Sequence, residues 1–315
     1  MPDKRLAKLY IYTLRKQPQD AGEPPAFPGV FGGCLKGSRL MGRVEKAVIM
    51  ARGLGTRMRQ VDESAALDES RGAAADSGVK AMIPMGVGRP FLDYVLSALA
   101  DAGYTRACLV IGPEHGNVRE YFGVQSPPRR ISVEFAVQEK PLGTADAVSA
   151  ARQFASDDLF LLINSDNYYP ARALETLAGL SGAAVALFDR DRMCKDSNIP
   201  EDRIRKFSVA EIDQNGNLSR IHEKPSDEIL RSMGAALWVN MNCWLFSPAI
   251  FEACSSIDMS ERGELELTTA VQYAIDILGE RFAALQFHED AVLDLSSRSD
   301  IMPVVDRLRM LNPEP

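Results

Sequence analysis

The sequence predicts an α/β fold whose strands are joined by right-handed parallel crossovers, and three features predict it. Apolar runs suited to strands buried on both faces alternate with helical segments from Ala47 to about Phe188. The first run, Ala47-Val48-Ile49-Met50-Ala51, breaks into a glycine-hinged loop, Arg52-Gly53-Leu54-Gly55-Thr56-Arg57. Such a junction at the carboxyl end of a parallel strand is where α/β proteins hold ligands. Further on, an Asn215-Gly216 turn between Phe207–Asp213 and Leu218–His222 marks a hairpin.

In that first loop, two glycines two apart let a backbone approach a phosphate with no side chain in the way. Arg52, Arg57 and Arg59 add positive charge that folding does not require. The loop reads as a phosphate cradle; the alternative is a surface turn with solvated arginines. A dinucleotide fingerprint would need glycine where Met58 stands. A P-loop would need Gly-Lys-Ser/Thr after its spacer, and Gly37 to Gly42 has the spacing but continues Arg43-Val44.

Next comes an acidic, alanine-rich insertion, Val61 to Val79, readable as a flap beside the cradle or as a plain surface helix. Pro90-Phe91-Leu92 opens a helix with Leu92, Val95, Leu96 and Leu99 on one face and Gly103 as its stop. Ala107 to Ile111 is a buried strand. Ile131 to Val137 alternates as a half-buried strand with Gln138 at its end, and Gly143-Thr144 begins a helix to about Phe154. Asp158 to Asp166 is a buried strand ending in a carboxylate. Helix 173–180 and strand 183–188 continue the rhythm, and after the hairpin come strand 235–246 and a helix begun by Ser247-Pro248. Helix Thr268–Leu278, strands Phe282–Phe287 and Val292–Leu295, and helix Ile301–Leu311 complete the chain.

At 315 residues, with 46% hydrophobic and 25% charged, the chain has ordinary globular composition and can bury a large core. Residues 1 to 43 differ, with Lys and Arg mixed into a short apolar patch and then a Pro/Gly-rich stretch, and they read as a poorly ordered extension. The remainder, 44–315, reads as one domain. Its net charge of -7 argues against nucleic acid as a partner, because a basic face is the expected footprint there. The five cysteines form no C-x-x-C pair and the three histidines no cluster, so neither a disulfide framework nor a zinc site is indicated. With no apolar run near the roughly 18 residues of a membrane span, no membrane partner and a cytoplasmic location are expected.

The strand ends carry an unusual set of polar residues: Arg57 and Lys80, Gln138 with Gly143, Asp166, Glu223-Lys224-Pro225, and Asp294. Together they offer cations for phosphates, two carboxylates able to hold Mg²⁺, and an amide beside a glycine edge to read a flat base. That inventory suits nucleotidyl transfer.

The ordered series AVIMARGLGTRMR, VKAMIPMG, QEKPLGTADAV, LLINSDN, IHEKP, VNMNCWLF, RGELELTTAV and VLDLSS, spanning residues 44 to about 300, resembles the nucleotide-sugar pyrophosphorylases, the sugar-1-phosphate nucleotidyltransferase family. The resemblance implies a Rossmann-like, three-layer α/β/α fold with a mixed, mostly parallel sheet. It implies a nucleotide-binding half of about 44–190, a sugar-binding half of about 191–300 and a terminal helix of about 301–311. The reaction implied is NTP plus sugar 1-phosphate giving NDP-sugar and pyrophosphate, with Mg²⁺ as cofactor.

By the same resemblance the backbone of Gly53, Leu54, Gly55 and Thr56 would hold the triphosphate, and Arg57 and Lys80 would meet its charge. Gln138, Gly143 and Thr144 would line the base site, and Asp166 and Asp294 would be the metal ligands. Glu223 and Asn240 would face the sugar and Lys224 its phosphate. Glutamine rather than an acidic residue at 138 leans toward a pyrimidine nucleotide, UTP or dTTP ahead of CTP. A catalytically silent nucleotide-sugar-binding regulatory subunit and a non-sugar acceptor such as phosphocholine are the alternatives, and a homo-oligomer is left open. The sequence departs from the family pattern at Arg52, Ser165, Ser208 and Ser296, and in Asn240-Met241-Asn242-Cys243-Trp244, which bears on the sugar pocket more than on the metal site.

Overall fold

Ala47, Ile49 and Ala51 pack into one buried apolar cluster, and Val48 and Met50 into another. Successive side chains of a strand point to opposite faces, so this run lies in a sheet covered on both sides, as its continuous apolarity requires. The computed structural model describes residues 42–62, 65–234 and 237–315; the expectation for residues 1 to 43 lies almost wholly outside the described residues.

The strands are β1 (Lys46–Met50), β2 (Arg106–Ile111), β3 (Ser132–Val137), β4 (Phe160–Asn164), β5 (Asn167–Tyr168), β6 (Ala184–Asp189), β7 (Val209–Ile212), β8 (Leu218–His222), β9 (Trp238–Phe246), β10 (Ala283–Phe287) and β11 (Leu293–Asp294). The main sheet runs in the order β10-β6-β9-β4-β1-β2-β3, with β7 and β8 branching from β9. β1 pairs in parallel with both β2 and β4, whereas β9 enters antiparallel between β4 and β6. The sheet is therefore mixed and mostly parallel. Because β9 lies inside it, the segments before and after residue 190 share one sheet instead of forming separate layers.

Helices Phe91–Asp101, Ala171–Ala178 and Arg298–Leu308 cover the first cluster, and helices Thr144–Ala150, Ala249–Ser256 and Leu267–Asp276 cover the second. This is the three-layer arrangement. Phe91–Leu99 is buried all round, not on one face alone, because that helix packs at once against the turn Lys80–Met82, helix Ala171–Ala178 and β5. Each fully buried Leu or Phe there contributes roughly 1.5–3 kcal/mol. Lys46, buried in β1, donates from Nζ to the carbonyls of Phe154 and Ala155, both at 2.9 Å. It thereby satisfies the open carbonyls where helix Arg152–Ala155 ends.

Several boundaries differ from the sequence expectation for local reasons. In the acidic insertion the helical alternative is realised over Glu69–Ser77, started by Asp68 accepting from the Arg71 amide at 2.9 Å. The last helix begins at Arg298, because Ser297 and Asp300 form a capping box three residues ahead of Ile301. Helices Arg190–Asp196, Glu201–Ile204 and Asp227–Ser232 were not anticipated, although Asp189 and Ser226 cap two of them. The hairpin stands as expected, with Asp213 Oδ1 accepting from the amides of Asn215 and Asn217, both at 2.8 Å, and Gly216 at φ 80°.

Candidate active site

The carboxyl ends of β1, β3 and β4 open on one cavity of about 420 Å³ whose walls include Gly53, Leu54, Lys80, Gln138, Gly143, Thr144 and Asp166. Residues 53 and 166 come together because β1 and β4 are paired in register, with Met50 opposite Asn164. The loop after β1 turns at Gly55, which is buried with φ 62°, and a Cβ there would stand 2.1 Å from the carbonyl oxygen of Gly78. Only glycine fits. Gly53, by contrast, has nothing within 4 Å of where a Cβ would be, so the protein itself does not demand a glycine there. Thr56–Arg59 is a single helical turn; Arg57 is exposed, and its charge reaches Lys80.

Lys80 projects from the turn Lys80–Met82 and donates from Nζ to Asp166 Oδ2 at 2.8 Å. Burial pulls the Lys80 ammonium down, but the charge and hydrogen bond of Asp166, together with the charge of Asp294, outweigh it and hold the group above its ordinary value. Asp166 sits in the turn between β4 and β5. The antiparallel pair β5–β11 places Asp294 opposite Asn167, and Leu295 N donates to Asp166 O at 2.8 Å. Two carboxylates 128 positions apart in sequence thus come close enough for their charges to act on each other.

Asp294 is 4% exposed. Its Oδ1 accepts from Asn167 Nδ2 at 2.9 Å and from Ser296 Oγ at 3.0 Å. Its Oδ2 has no hydrogen-bond partner, although the Arg203 guanidinium lies 3.2 Å away, engaged at both ends by Asp300. Burial first, then the charge of Asp166, push the Asp294 carboxyl up to about 6 against the pull of Arg203. A carboxylate pair of this kind, one member buried and the other half-buried, is a place able to take a divalent cation.

On the opposite wall Gln138 is 5% exposed, and its Nε2 donates to Gly143 O at 3.0 Å and to Asp146 Oδ2 at 2.8 Å. Gly143 holds φ 116°, and a Cβ there would meet Leu265 O at 2.5 Å, so the residue is glycine for backbone reasons as well. Thr144 Oγ1 accepts from the Leu267 amide at 2.9 Å, which ties this corner to helix Leu267–Asp276.

The remaining candidates do not line this cavity. Glu223 and Lys224 follow β8, where Lys224 takes φ 44° and Glu223 lies near Thr268 and Glu266. Surrounding protein, then the charge of Glu266, raise the Glu223 carboxyl. Asn240 is buried with its amide held inside the protein: Nδ2 donates to Ser208 Oγ at 3.0 Å, and Oδ1 accepts from Asn242 N at 2.9 Å. Asn242, two residues on and at φ 54°, lines the cavity instead. Arg52, by contrast, lines the cavity and is not solvated: its side chain is 8% exposed, with Nε 3.4 Å from Glu114.

Sequence reading did not single out Asp146, Asn167 or Arg203. Asp146 has the one signal that could have found it, an acidic residue in the first turn of a helix that begins beside a candidate base reader. Asn167 and Arg203 act across long sequence separations and carry no local mark.

A family model described as nucleotidyl transferase matches residues 46–294. The chain is 32% identical to a glucose-1-phosphate thymidylyltransferase of Streptomyces griseus over 231 residues, covering 73% of this chain and 57% of that protein. It is 27% identical to a low-salt glycan biosynthesis nucleotidyltransferase of Haloferax volcanii over 241 residues, covering 73% of this chain and 59% of the relative. The chain thus spans less than two thirds of the length of these curated relatives. Among solved structures, a UDP-glucose pyrophosphorylase complexed with UDP-glucose superposes with a TM-score of 0.64 at 17% identity, covering 84% of this chain and 98% of that one. An inositol-1-phosphate CTP transferase from T. maritima gives 0.62 at 16% identity, covering 85% and 96%. These two establish likeness of fold.

Proposed function

This chain belongs to the nucleotidyl transferase family, and we propose that it transfers a nucleotidyl group from an NTP, UTP or dTTP, to a sugar 1-phosphate, giving NDP-sugar and pyrophosphate. The observation that carries the reading is the single cavity in which the Gly53–Leu54 loop, the Lys80–Asp166 pair and the Gln138–Gly143 corner converge. A glycine-bearing loop suits the triphosphate, and a buried amide beside a glycine edge suits a base. Between them, Lys80 stands where phosphate charge would gather.

An oxygen of the sugar phosphate would attack the α-phosphorus, forming one P–O bond. The bond to the β-phosphate bridging oxygen would break, with its electron pair leaving on pyrophosphate. The attacking oxygen is already anionic, so the step needs no protein base and no covalent protein intermediate. It needs positioning and neutralisation of charge. Lys80 and Arg57 would supply cations; Gly53 to Thr56 would orient the phosphates through backbone N–H groups.

Asp166 and Asp294 would hold Mg²⁺, and the observation that fits them to it is Asp294 Oδ2, a buried oxygen that accepts no hydrogen bond and is met only by the Arg203 charge at 3.2 Å. Among the described residues no group of three or more His, Cys, Asp or Glu gathers as a cage, which suits a cation that completes its shell with substrate and water oxygens. Once bound, it would neutralise phosphate charge and favour the departing pyrophosphate. Glu223, Lys224 and Asn240 remain the proposed sugar-side residues, by their match to the family motif. No helix among the described residues is long and apolar enough to cross a membrane.

The test is pyrophosphate release from a panel of NTPs and sugar 1-phosphates, with and without Mg²⁺. Release with UTP or dTTP that depends on both a sugar 1-phosphate and the metal is the expected result. Nucleotide binding with no turnover of any pair would replace the enzyme with a binding subunit.

A further inference from the structure

Both amide hydrogens of Gln138 are engaged, one by Gly143 O at 3.0 Å and one by Asp146 Oδ2 at 2.8 Å. A backbone carbonyl and a carboxylate accept and cannot donate, so the nitrogen of the amide has to face them. That leaves Oε1 as the only hydrogen-bonding atom the side chain can offer to the cavity it lines. With Gly143 alone as partner the amide would be held by one neutral hydrogen bond. Asp146 adds a charge-assisted one, of roughly twice the strength.

We infer that Asp146 is a positioning residue for base selection: it locks the Gln138 amide with Oε1 toward the cavity, so that the site takes a pyrimidine carrying N–H at ring position 3. Uracil and thymine present that donor. Cytosine presents an acceptor at the same place, and two facing acceptors leave both unpaired out of water. The inference rests on the nucleotide reading of the cavity. Its competitor is a structural role for Asp146 alone, as a carboxylate placed in the first turn of helix Thr144–Ala150 where the helix dipole favours it.

Equilibrium dialysis of UTP and CTP against the full chain in Mg²⁺ separates these. The wild type is expected to prefer UTP by about tenfold or more, the scale of leaving one buried hydrogen-bonding group unsatisfied. Asp146→Ala is expected to erase most of that preference, and Asp146→Asn, whose Oδ1 still accepts, to retain most of it. In a Gln138→Met background Asp146→Ala should leave the UTP to CTP ratio unchanged, because a residue acting through another has nothing left to act on. A wild-type ratio in Asp146→Ala, an equal shift with and without Gln138, or a wild type with no preference overturns the inference and leaves the nucleotide reading standing. A wild type that binds neither nucleotide removes that reading itself, and the inference with it.

Discussion

Lys80 Nζ lies 2.8 Å from Asp166 Oδ2, joining the turn after the acidic insertion to the end of β4 across 86 positions of sequence. Asp166 holds the Lys80 ammonium charged in a half-buried place. The pair thus sets a cation for phosphate beside a carboxylate for metal. Lys80→Met is expected to lower pyrophosphate release by about a hundredfold or more, the scale for removing a preorganised charge from a developing anion. Its circular dichroism should match the wild type. Undiminished turnover in this variant would exclude Lys80 from the chemistry.

Mg²⁺ should raise the melting temperature of the wild type, because a ligand that binds only the folded state stabilises it by RT ln(1 + [L]/Kd). Asp294→Asn is expected to remove that rise, read against the variant's own metal-free melting temperature, because its amide still accepts from Asn167 and Ser296 but sets its NH2 against the Arg203 guanidinium that Oδ2 faces at 3.2 Å. A metal-induced rise of wild-type size in Asp294→Asn would place the cation elsewhere.

The two loop glycines should respond oppositely to the same change. Gly55→Ala puts a methyl 2.1 Å from Gly78 O at φ 62° and is expected to cost more than about 2 kcal/mol in denaturant unfolding. Gly53→Ala meets nothing within 4 Å and should stay within about 0.5 kcal/mol of wild type for stability, yet weaken NTP binding. Equal destabilisation by both would contradict the geometry of the loop.

Asp213 gives an acid-range test of the hairpin. Backbone hydrogen bonds from Asn217 and Asn215 hold its carboxyl below the usual value of 3.8. A depressed acid contributes stability above its unfolded pKa and loses it as pH falls through the folded value. Asp213→Ala should therefore melt below wild type at pH 5 to 7, with the gap narrowing once pH drops under 3.8. A gap constant across that range would show that the charge does not matter to the turn.

Much of the scaffold was legible because its signals are local. The run from Ala47 to Ala51, the Asn215-Gly216 turn and the Pro90-Phe91 helix start each announce an element within a few residues. The short helices between Arg190 and Ser232 were missed because they lack an apolar stripe long enough to read. At the site, Gly53, Lys80, Gln138, Gly143 and Asp166 were picked out and do share a cavity. Asn240 matches a motif position, yet its amide is bound to Ser208 and Asn242.

By itself the sequence determined which segments become strands, where backbone must be left bare of side chains, and which charged residues fall at strand ends. These follow from hydrophobic period, glycine and capping chemistry, all of which act between neighbours. Tertiary structure alone decided that β9 enters between β4 and β6, that Asn167 brings Asp294 to Asp166, and that Asp146 turns the Gln138 amide one way and not the other. Each is a contact between groups whose chemistry permits several partners. Only the packing of the whole sheet selects among them.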